Sequence, residues 1–380
     1  MSKSAKIVIG VIVLLAIVGG YYWQKNRGES VPGGTIKIGF MAPLTGPFAD
    51  WGESIKRGME LAIEDTHHKF DVNFQDDGCS LSKGVGIAQK FFNVDKIKLI
   101  VGPGCVEVLR PIAPLADQNK ALLFSTGLLD DAIFQEFQSV VNFATQISTE
   151  AQYMAEYMKS QNAKRVAMVH GTNYFGEEFG KRFPEELSSR SMMLTDNEPT
   201  SLDLTDFRTI ILKIIATKPD SIYIHQGEKQ IGLFAKQLRE LGSKLPIFAV
   251  YATESPSTLV AGGVALEGAH YTYPVNNSEN SESKKNFEKR YSDKFGNGAF
   301  PSATSFFVYD GMMILDKALD SCGANDTTCI KNFFTSIGKY QGLSGDMIFN
   351  SDGKVVRQFG IKKIENGKFV WVARDLNLIN

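Results

Sequence analysis

TIKIGFMAPLTGPFADWGESIKRGMELAIED, residues 35–65, passes from strand to loop to helix without a break. Ile36 to Met41 is an apolar run of strand length. A Gly- and Pro-bearing loop follows and ends on Trp51-Gly52. Ile55, Met59 and Ile63 then recur at spacings of four, the period of one helical face. A strand that opens through a loop into a helix presents that loop at the carboxyl edge of a parallel sheet, where open α/β folds bind ligands. This loop has no phosphate-binding glycine fingerprint and no Lys or Ser nucleophile. Its aromatic residue, Trp51, points to capture of a small molecule rather than chemistry on it.

Working outward, the alternation continues. Phe70–Gln75 alternates as a strand. Val85, Ala88, Phe91 and Phe92 mark a short helix. Lys98–Val101 is a buried strand, Glu107–Asn119 a helix whose Pro111 belongs near its first turn, and Ala121–Phe124 a strand. Near residue 147 the plan restarts. Ser148 or Thr149 can cap a helix bearing Met154, Tyr157 and Met158. The strand Arg165–Val169 then opens through a loop with Tyr174 and Phe175 into a helix with Phe179, Phe183 and Leu187, which Pro184 should kink or divide. A helix around Ile211, the strand Ser221–His225, a helix ending at Leu241-Gly242 and strands at Pro246–Tyr251 and Glu267–Tyr273 complete this second unit. Residues 276–283 (NNSENSES) read as a crossing linker. Helices near 284–295, 302–319 and 327–337 follow. The tail alternates over 346–349, 355–363 and 369–372, with Asn366-Gly367 as a hairpin turn. The pattern predicts an α/β protein of two lobes, each a doubly wound, mostly parallel sheet flanked by helices.

With 380 residues the chain is long enough for two such lobes. Its 41 basic and 42 acidic residues leave a net charge of -1, so no global field recruits nucleic acid, and no basic run interleaved with aromatics supports that role. Lys3 and Lys6 precede an apolar run, Ile7–Val18, followed by Tyr21, Tyr22 and Trp23. This reads as an uncleaved signal-anchor in the membrane, with a cleaved signal peptide as the alternative, and Gln24–Gly34 as its linker; residues 1–34 stand outside the fold. Export fits the four cysteines. Cys322 and Cys329 flank a turn-like segment and can bridge locally. Cys79 and Cys105 each follow a strand and can meet at the top of one sheet. Zinc is the competing reading for these cysteines, without the usual C-x-x-C spacing or a histidine cluster.

The ordered series of segments is similar to the type I periplasmic binding proteins, specifically the leucine/isoleucine/valine-binding protein family. LTGPFADWG (44–52), DDGC (76–79) with GPGC (102–105), RVAMVH (165–170) with YFGEEFG (174–180), DFRTIILKI (206–214), LRELG (238–242) and NGAF (297–300) carry the resemblance. It implies a Venus-flytrap that closes on a ligand and delivers it to the permease and ATPase subunits of an ABC importer. It further implies lobes of 35–147 plus 276–350 and of 148–275 plus 351–380, and a bridge between Cys79 and Cys105. The ligand class implied is an amino acid or an amide-like small molecule, with no cofactor.

Carried over residue by residue, the resemblance places Trp51, Phe300, and Phe175 with its neighbour Tyr174, against the ligand. The polar anchors depart from the family pattern. Val106 stands where a Ser donates to the ligand carboxylate, Gly127 and Leu129 where an Ala-x-Thr pair holds the head group, Tyr251 where a Glu takes the ammonium, and Gly227 where a Tyr assists. Shifts of one or two residues bring Glu107, Thr126, Glu228 or Glu254 into those roles. No GxSxG elbow, Walker loop, HExxH or GxGxxG supports an enzyme. His67-His68 reads as a surface pair at a helix end rather than a metal site. A ligand-sensing receptor acting through a signalling partner is the alternative to uptake.

Overall fold

The computed structural model describes residues 34–274, 282–296 and 299–373. The expected membrane anchor and residues 276–281 of the expected linker lie outside these residues, and residues 282 and 283 already belong to the helix that follows. Among those described, no helix is long and apolar enough to cross a membrane.

The elements follow in order: β1 (Ile36–Ala42), α1 (Ala49–Asp65), β2 (Phe70–Asp76), α2 (Leu81–Lys90), β3 (Leu99–Val101), α3 (Val106–Asn119), β4 (Leu122–Ser125), α4 (Ile133–Glu136) and β5 (Val140–Asn142). Their strands form an all-parallel sheet ordered β2-β1-β3-β4-β5. β1 is central, which is why Ile38, Phe40, Met41 and Ala42 are all buried whichever face they take. α1 lays Ile55, Met59 and Ala62 into the same core. Burial of side chains the size of Ile or Met contributes about 1.5–3 kcal/mol each.

α5 (Ile147–Ser160), β6 (Arg165–Gly171), α6 (Tyr174–Ser189), β7 (Met193–Thr200), α7 (Arg208–Ala216), β8 (Ser221–His225), α8 (Glu228–Glu240), β9 (Ile247–Ala249), α9 (Pro256–Gly262) and β10 (His270–Pro274) repeat the plan. Their sheet runs β7-β6-β8-β9-β10, the same order as the first, and is parallel throughout. β14 (Phe359–Glu365) and β15 (Lys368–Ala373) extend it antiparallel. Asn366 (φ 53°) and Gly367 (φ 68°) turn that hairpin with two left-handed residues, as a tight primed turn requires. α10 (Glu282–Phe295), α11 (Ala303–Cys322) and α12 (Thr327–Ser336) precede a small sheet of β11 (Lys339–Gly342), β12 (Gly345–Phe349) and β13 (Val355–Val356). α11 packs along α1. Disulfides join Cys79 to Cys105 and Cys322 to Cys329. For a separation of 26 residues the chain-entropy model gives the first about 3.5 kcal/mol.

Several local expectations change. β5, β7, α9 and β11 had no legible pattern. β7 (MLTDNEPT) is an edge strand, where Pro199 costs no ladder bond. The helix caps at Gln146 rather than at Ser148 or Thr149. α3 carries Pro111 and Pro114 well beyond its first turn, and α6 runs through Pro184 to Ser189. The run 355–363 divides at Arg357 and Gln358, and its two halves join different sheets.

Arg357 marks that division and is fully buried. Its guanidinium donates to the carbonyls of Phe143 and Ala144 and to the Ser344 hydroxyl, and lies 4.3 Å from the Phe307 ring centroid. Asp310, also buried, accepts from the Leu343 and Ser344 backbone N–H groups, each at 2.7 Å, and from the same Ser344 hydroxyl. Burial pulls Arg357 down to about 9, against the attraction of Asp310, so it remains charged at neutral pH. Arg357→Met removes this charge and strands Asp310. We expect a loss of about 3–5 kcal/mol in urea unfolding; a loss below about 1 kcal/mol would show that the cluster relaxes without its cation.

Candidate functional site

Both sheets share one strand order, so both reverse direction at equivalent places, β1/β3 in the first and β6/β8 in the second. The loops at those carboxyl ends face each other. They enclose a cavity of about 90 Å³. At about 10–15 Å³ per water-sized position, it holds roughly six to nine heavy atoms.

The first sheet contributes Phe48 and Trp51 after β1, Gly104 to Glu107 after β3, and Gly127 and Leu128 after β4. Asp76 shapes the first of these loops. It accepts from the backbone N–H of Leu44 (2.8 Å) and Thr45 (3.2 Å) and from the Thr45 hydroxyl (2.6 Å). Burial pushes Asp76 up, but these donors and Gly78 outweigh it and hold the carboxyl below its usual range. Trp51 packs against Gly104. A Cβ at Gly104 would stand 2.4 Å from the indole and 2.9 Å from the Gly127 nitrogen, and a Cβ at Gly127 would stand 2.2 Å from the Gly104 carbonyl. Gly127 is therefore required by backbone approach.

The second sheet contributes Asn173 and Phe175 after β6, Leu202 after β7, Gln226 to Glu228 after β8, and Tyr251, Ala252 and Glu254 after β9. The Asn173 side chain caps α6 by accepting from Gly176 N–H at 3.3 Å. Glu228 is buried at the start of α8. Burial, then the nearby Asp50 charge, pushes its carboxyl well above the usual range, against the Trp51 backbone N–H. His225 is pulled down to about 3, first by burial and then by His170, and its Nε2 is buried without a partner. It is neutral at physiological pH. Glu254 is spent on structure, taking the Lys362 ammonium at 3.0 Å and the Tyr271 hydroxyl at 2.6 Å. Glu150, pushed to about 7 by burial, supports the Tyr251 backbone from behind. No Lys or Arg lines the cavity among the described residues. Its donors toward an anion are the first N–H groups of α3, at Val106 and Glu107, which have no intrahelical acceptor.

Contacts cross the cleft between the two sets of loops. Tyr174 N–H donates to Glu107 Oε1 at 2.6 Å, and the Tyr174 hydroxyl to Asp130 Oδ2 at 2.7 Å. Ser257 N–H donates to Asp50 Oδ2 at 3.1 Å.

Trp51, Val106, Glu107, Gly127, Phe175, Gly227, Glu228 and Tyr251 thus lie on the cavity wall. Three expected residues do not. Thr126 turns inward and donates to the Gly102 carbonyl at 3.0 Å. Tyr174 reaches across the cleft instead of into it. Phe300 lines an adjoining hollow with Asp50, Arg57 and Tyr291, and its ring meets Phe369 at 5.9 Å. Leu129, the family's head-group position, is buried core. Phe48, Asn173, Leu202, His225 and Gln226 were not anticipated. The loop position of Phe48, three residues before Trp51, was the one signal available.

The periplasmic binding protein family model matches residues 35–368. A Leu/Ile/Val-binding protein homolog from Brucella abortus is 26% identical, the match covering 88% of this chain and 92% of that protein. The fold is similar to a leucine binding protein from Thermotoga maritima, at TM-score 0.83 and 21% identity, covering 91% of this chain and 100% of that one. It is also similar to an ABC-transporter solute binding protein from Rhodopseudomonas palustris in complex with 3,4-dihydroxybenzoic acid, at TM-score 0.81 and 21% identity, covering 89% of this chain and 96% of that one. By the extent of the family match and the paired sheets that enclose the cavity, this chain belongs to the periplasmic binding proteins.

Proposed function

We propose that the chain is the extracytoplasmic solute-binding component of an ABC-type importer, taking an amino acid or amide-like molecule between two closing lobes. The lobes comprise 35–147 with 276–350 and 148–275 with 351–380. The packing of α11 along α1, and the pairing of β14 with β10 and of β15 with β14, support this division, while the pairing of β13 with β12 moves the last crossing from residue 351 to Arg357.

The observation that carries the ligand class is the pairing of Glu228 with the open N-terminus of α3 across one small cavity. A carboxylate on one side and free N–H groups on the other match an ammonium and a carboxylate on one small molecule. Phe48, Trp51, Phe175 and Tyr251 surround the space between with apolar area. A second reading rests on the same residue. With its pKa raised, Glu228 keeps its proton to higher pH than an exposed carboxyl and can donate it to an acid. The aromatic wall would then hold an aromatic carboxylate, the kind of molecule bound in the Rhodopseudomonas protein.

The two readings differ in the sign of their pH dependence. An ammonium ligand ionises Glu228 and releases its proton, so affinity rises as pH climbs through the raised pKa. An aromatic acid needs the proton, so affinity falls over the same range. A thermal-shift screen of amino acids, amides and aromatic acids identifies the class, and calorimetric titration across pH gives the sign. Glu228→Gln should weaken an amino acid about ten-fold or more, since a bond to a charged group contributes about 1.5–3 kcal/mol. The same variant should leave an aromatic acid bound and erase its pH dependence. Amino-acid binding indifferent to Glu228→Gln would remove the first reading.

Closure has its own test. Tyr174→Phe leaves the cavity wall in place and deletes the bond to Asp130. The closed form loses population, and apparent affinity should fall roughly ten-fold for any ligand. Unchanged affinity would mean that Tyr174 plays no part in closing.

A further inference from the structure

Asp316 and Asp320 lie one turn apart on α11, and His67 and His68 sit just past the C-terminus of α1, separated from Asp316 by 249 and 248 residues of sequence. Asp316 accepts four bonds at once. The backbone N–H groups of His67 and His68 each donate at 3.1 Å, and each ring Nδ1 lies 2.8 Å from a different oxygen of its carboxylate. The carboxylate is nearly buried, with its side chain 10% exposed. A carboxylate oxygen only accepts, so in the neutral form each ring that keeps its bond to Asp316 has its proton on Nδ1 and a lone pair on Nε2.

Those two nitrogens converge on a single oxygen. Asp320 Oδ1 stands 2.8 Å from His67 Nε2 and 3.8 Å from His68 Nε2, with the two rings 4.2 Å apart. A lone pair facing a carboxylate oxygen at 2.8 Å is repulsive unless something positive lies between or beside them. Two ligands 2.0–2.1 Å from a tetrahedral ion stand about 3.3 Å apart, and the two observed separations bracket that value. The opposite edge of the cluster cannot serve, because each Nδ1 faces its own oxygen at hydrogen-bond distance. Histidine ligands that donate their other N–H to a carboxylate are the usual support of a bound transition metal. Here that support is already assembled.

We propose that His67 Nε2, His68 Nε2 and Asp320 Oδ1 form a surface site for a divalent transition-metal ion such as Zn²⁺ or Ni²⁺, with Asp316 as the carboxylate that orients both rings. Two imidazoles and one carboxylate exclude Ca²⁺ and Mg²⁺ as the preferred ions. Solvent reaches the site, since the His67 and Asp320 side chains are 62% and 52% exposed, and water completes the coordination. The ion ties the end of α1 to α11. Trp51 is sixteen residues away, about 24 Å along the axis of α1, so this site is distinct from the cleft.

The test is calorimetric titration of the full-length protein with ZnCl₂ and NiCl₂. Wild type should bind one equivalent. His67→Ala and Asp320→Asn, both at exposed positions, should each weaken that binding at least about ten-fold, and Asp316→Asn about 10- to 100-fold. Should Asp316→Asn unfold the protein, Co²⁺ added to wild type gives the independent readout. Visible absorption of tetrahedral Co²⁺ should appear in wild type and vanish in His67→Ala. Absence of Zn²⁺ and Ni²⁺ binding up to millimolar concentration, or equal binding by a His67→Ala/His68→Ala double variant, overturns the proposal and leaves protons as the only cations the cluster holds.

Discussion

A buried guanidinium at the crossing of the chain is the constraint on which the rest of the molecule depends. Arg357 lies where the polypeptide leaves the small sheet for the second large one. It binds the carbonyls of Phe143 and Ala144, where the chain first leaves the first sheet. Such a charge is tolerable only when its donors are spent and a counter-charge is near. Ser344 meets both needs by bonding Arg357 and Asp310 together. The Gln146 side chain adds a bond to the Val355 carbonyl at 3.1 Å. Two crossings of the chain are thus held in one register.

Much of the architecture was legible because burial writes itself into sequence. Central strands such as β1 and β6 are buried on both faces and read as unbroken apolar runs, and the amphipathic helices α1 and α6 announce themselves by period. Their succession fixes a parallel sheet, and its repetition fixes two. Edge elements were silent for the converse reason. β7 owes its conformation to pairing with β6 rather than to its own residues, and β11 contains only Lys339, Tyr340, Gln341 and Gly342. The break at Arg357 was invisible because it follows from partners more than 200 residues away.

The candidate site was legible to the level of loops and not of side chains. A strand–loop–helix unit fixes which residues stand at the sheet edge. Whether one of them points into the cleft depends on what else needs it. Thr126 is drawn inward by the Gly102 carbonyl. Tyr174 is drawn across by Asp130. Gly127 looks like a lost head-group residue, but its missing side chain is the condition for Gly104 and Trp51 to pack. Glu228 looks like an ordinary acid at a helix start, where exposed carboxylates are common. Only the loops folded around it make it buried.

In the proposed two-lobe mechanism, that burial ties recognition to closure. In an open cleft Glu228 is solvated and its ionisation costs little. Bringing Asp50 and Trp51 over it strips the water and adds a like charge, so closing an empty cleft works against the ionised carboxylate. Closure then proceeds with Glu228 protonated, or with a ligand that supplies the missing positive charge or accepts the proton. The contacts across the cleft at Tyr174 and Ser257 favour closing whatever is inside, but they are few and lie near solvent. The balance between open and closed forms therefore turns on the one buried acid. A ligand that leaves Glu228 unsatisfied can fill the aromatic walls and still fail to hold the lobes together.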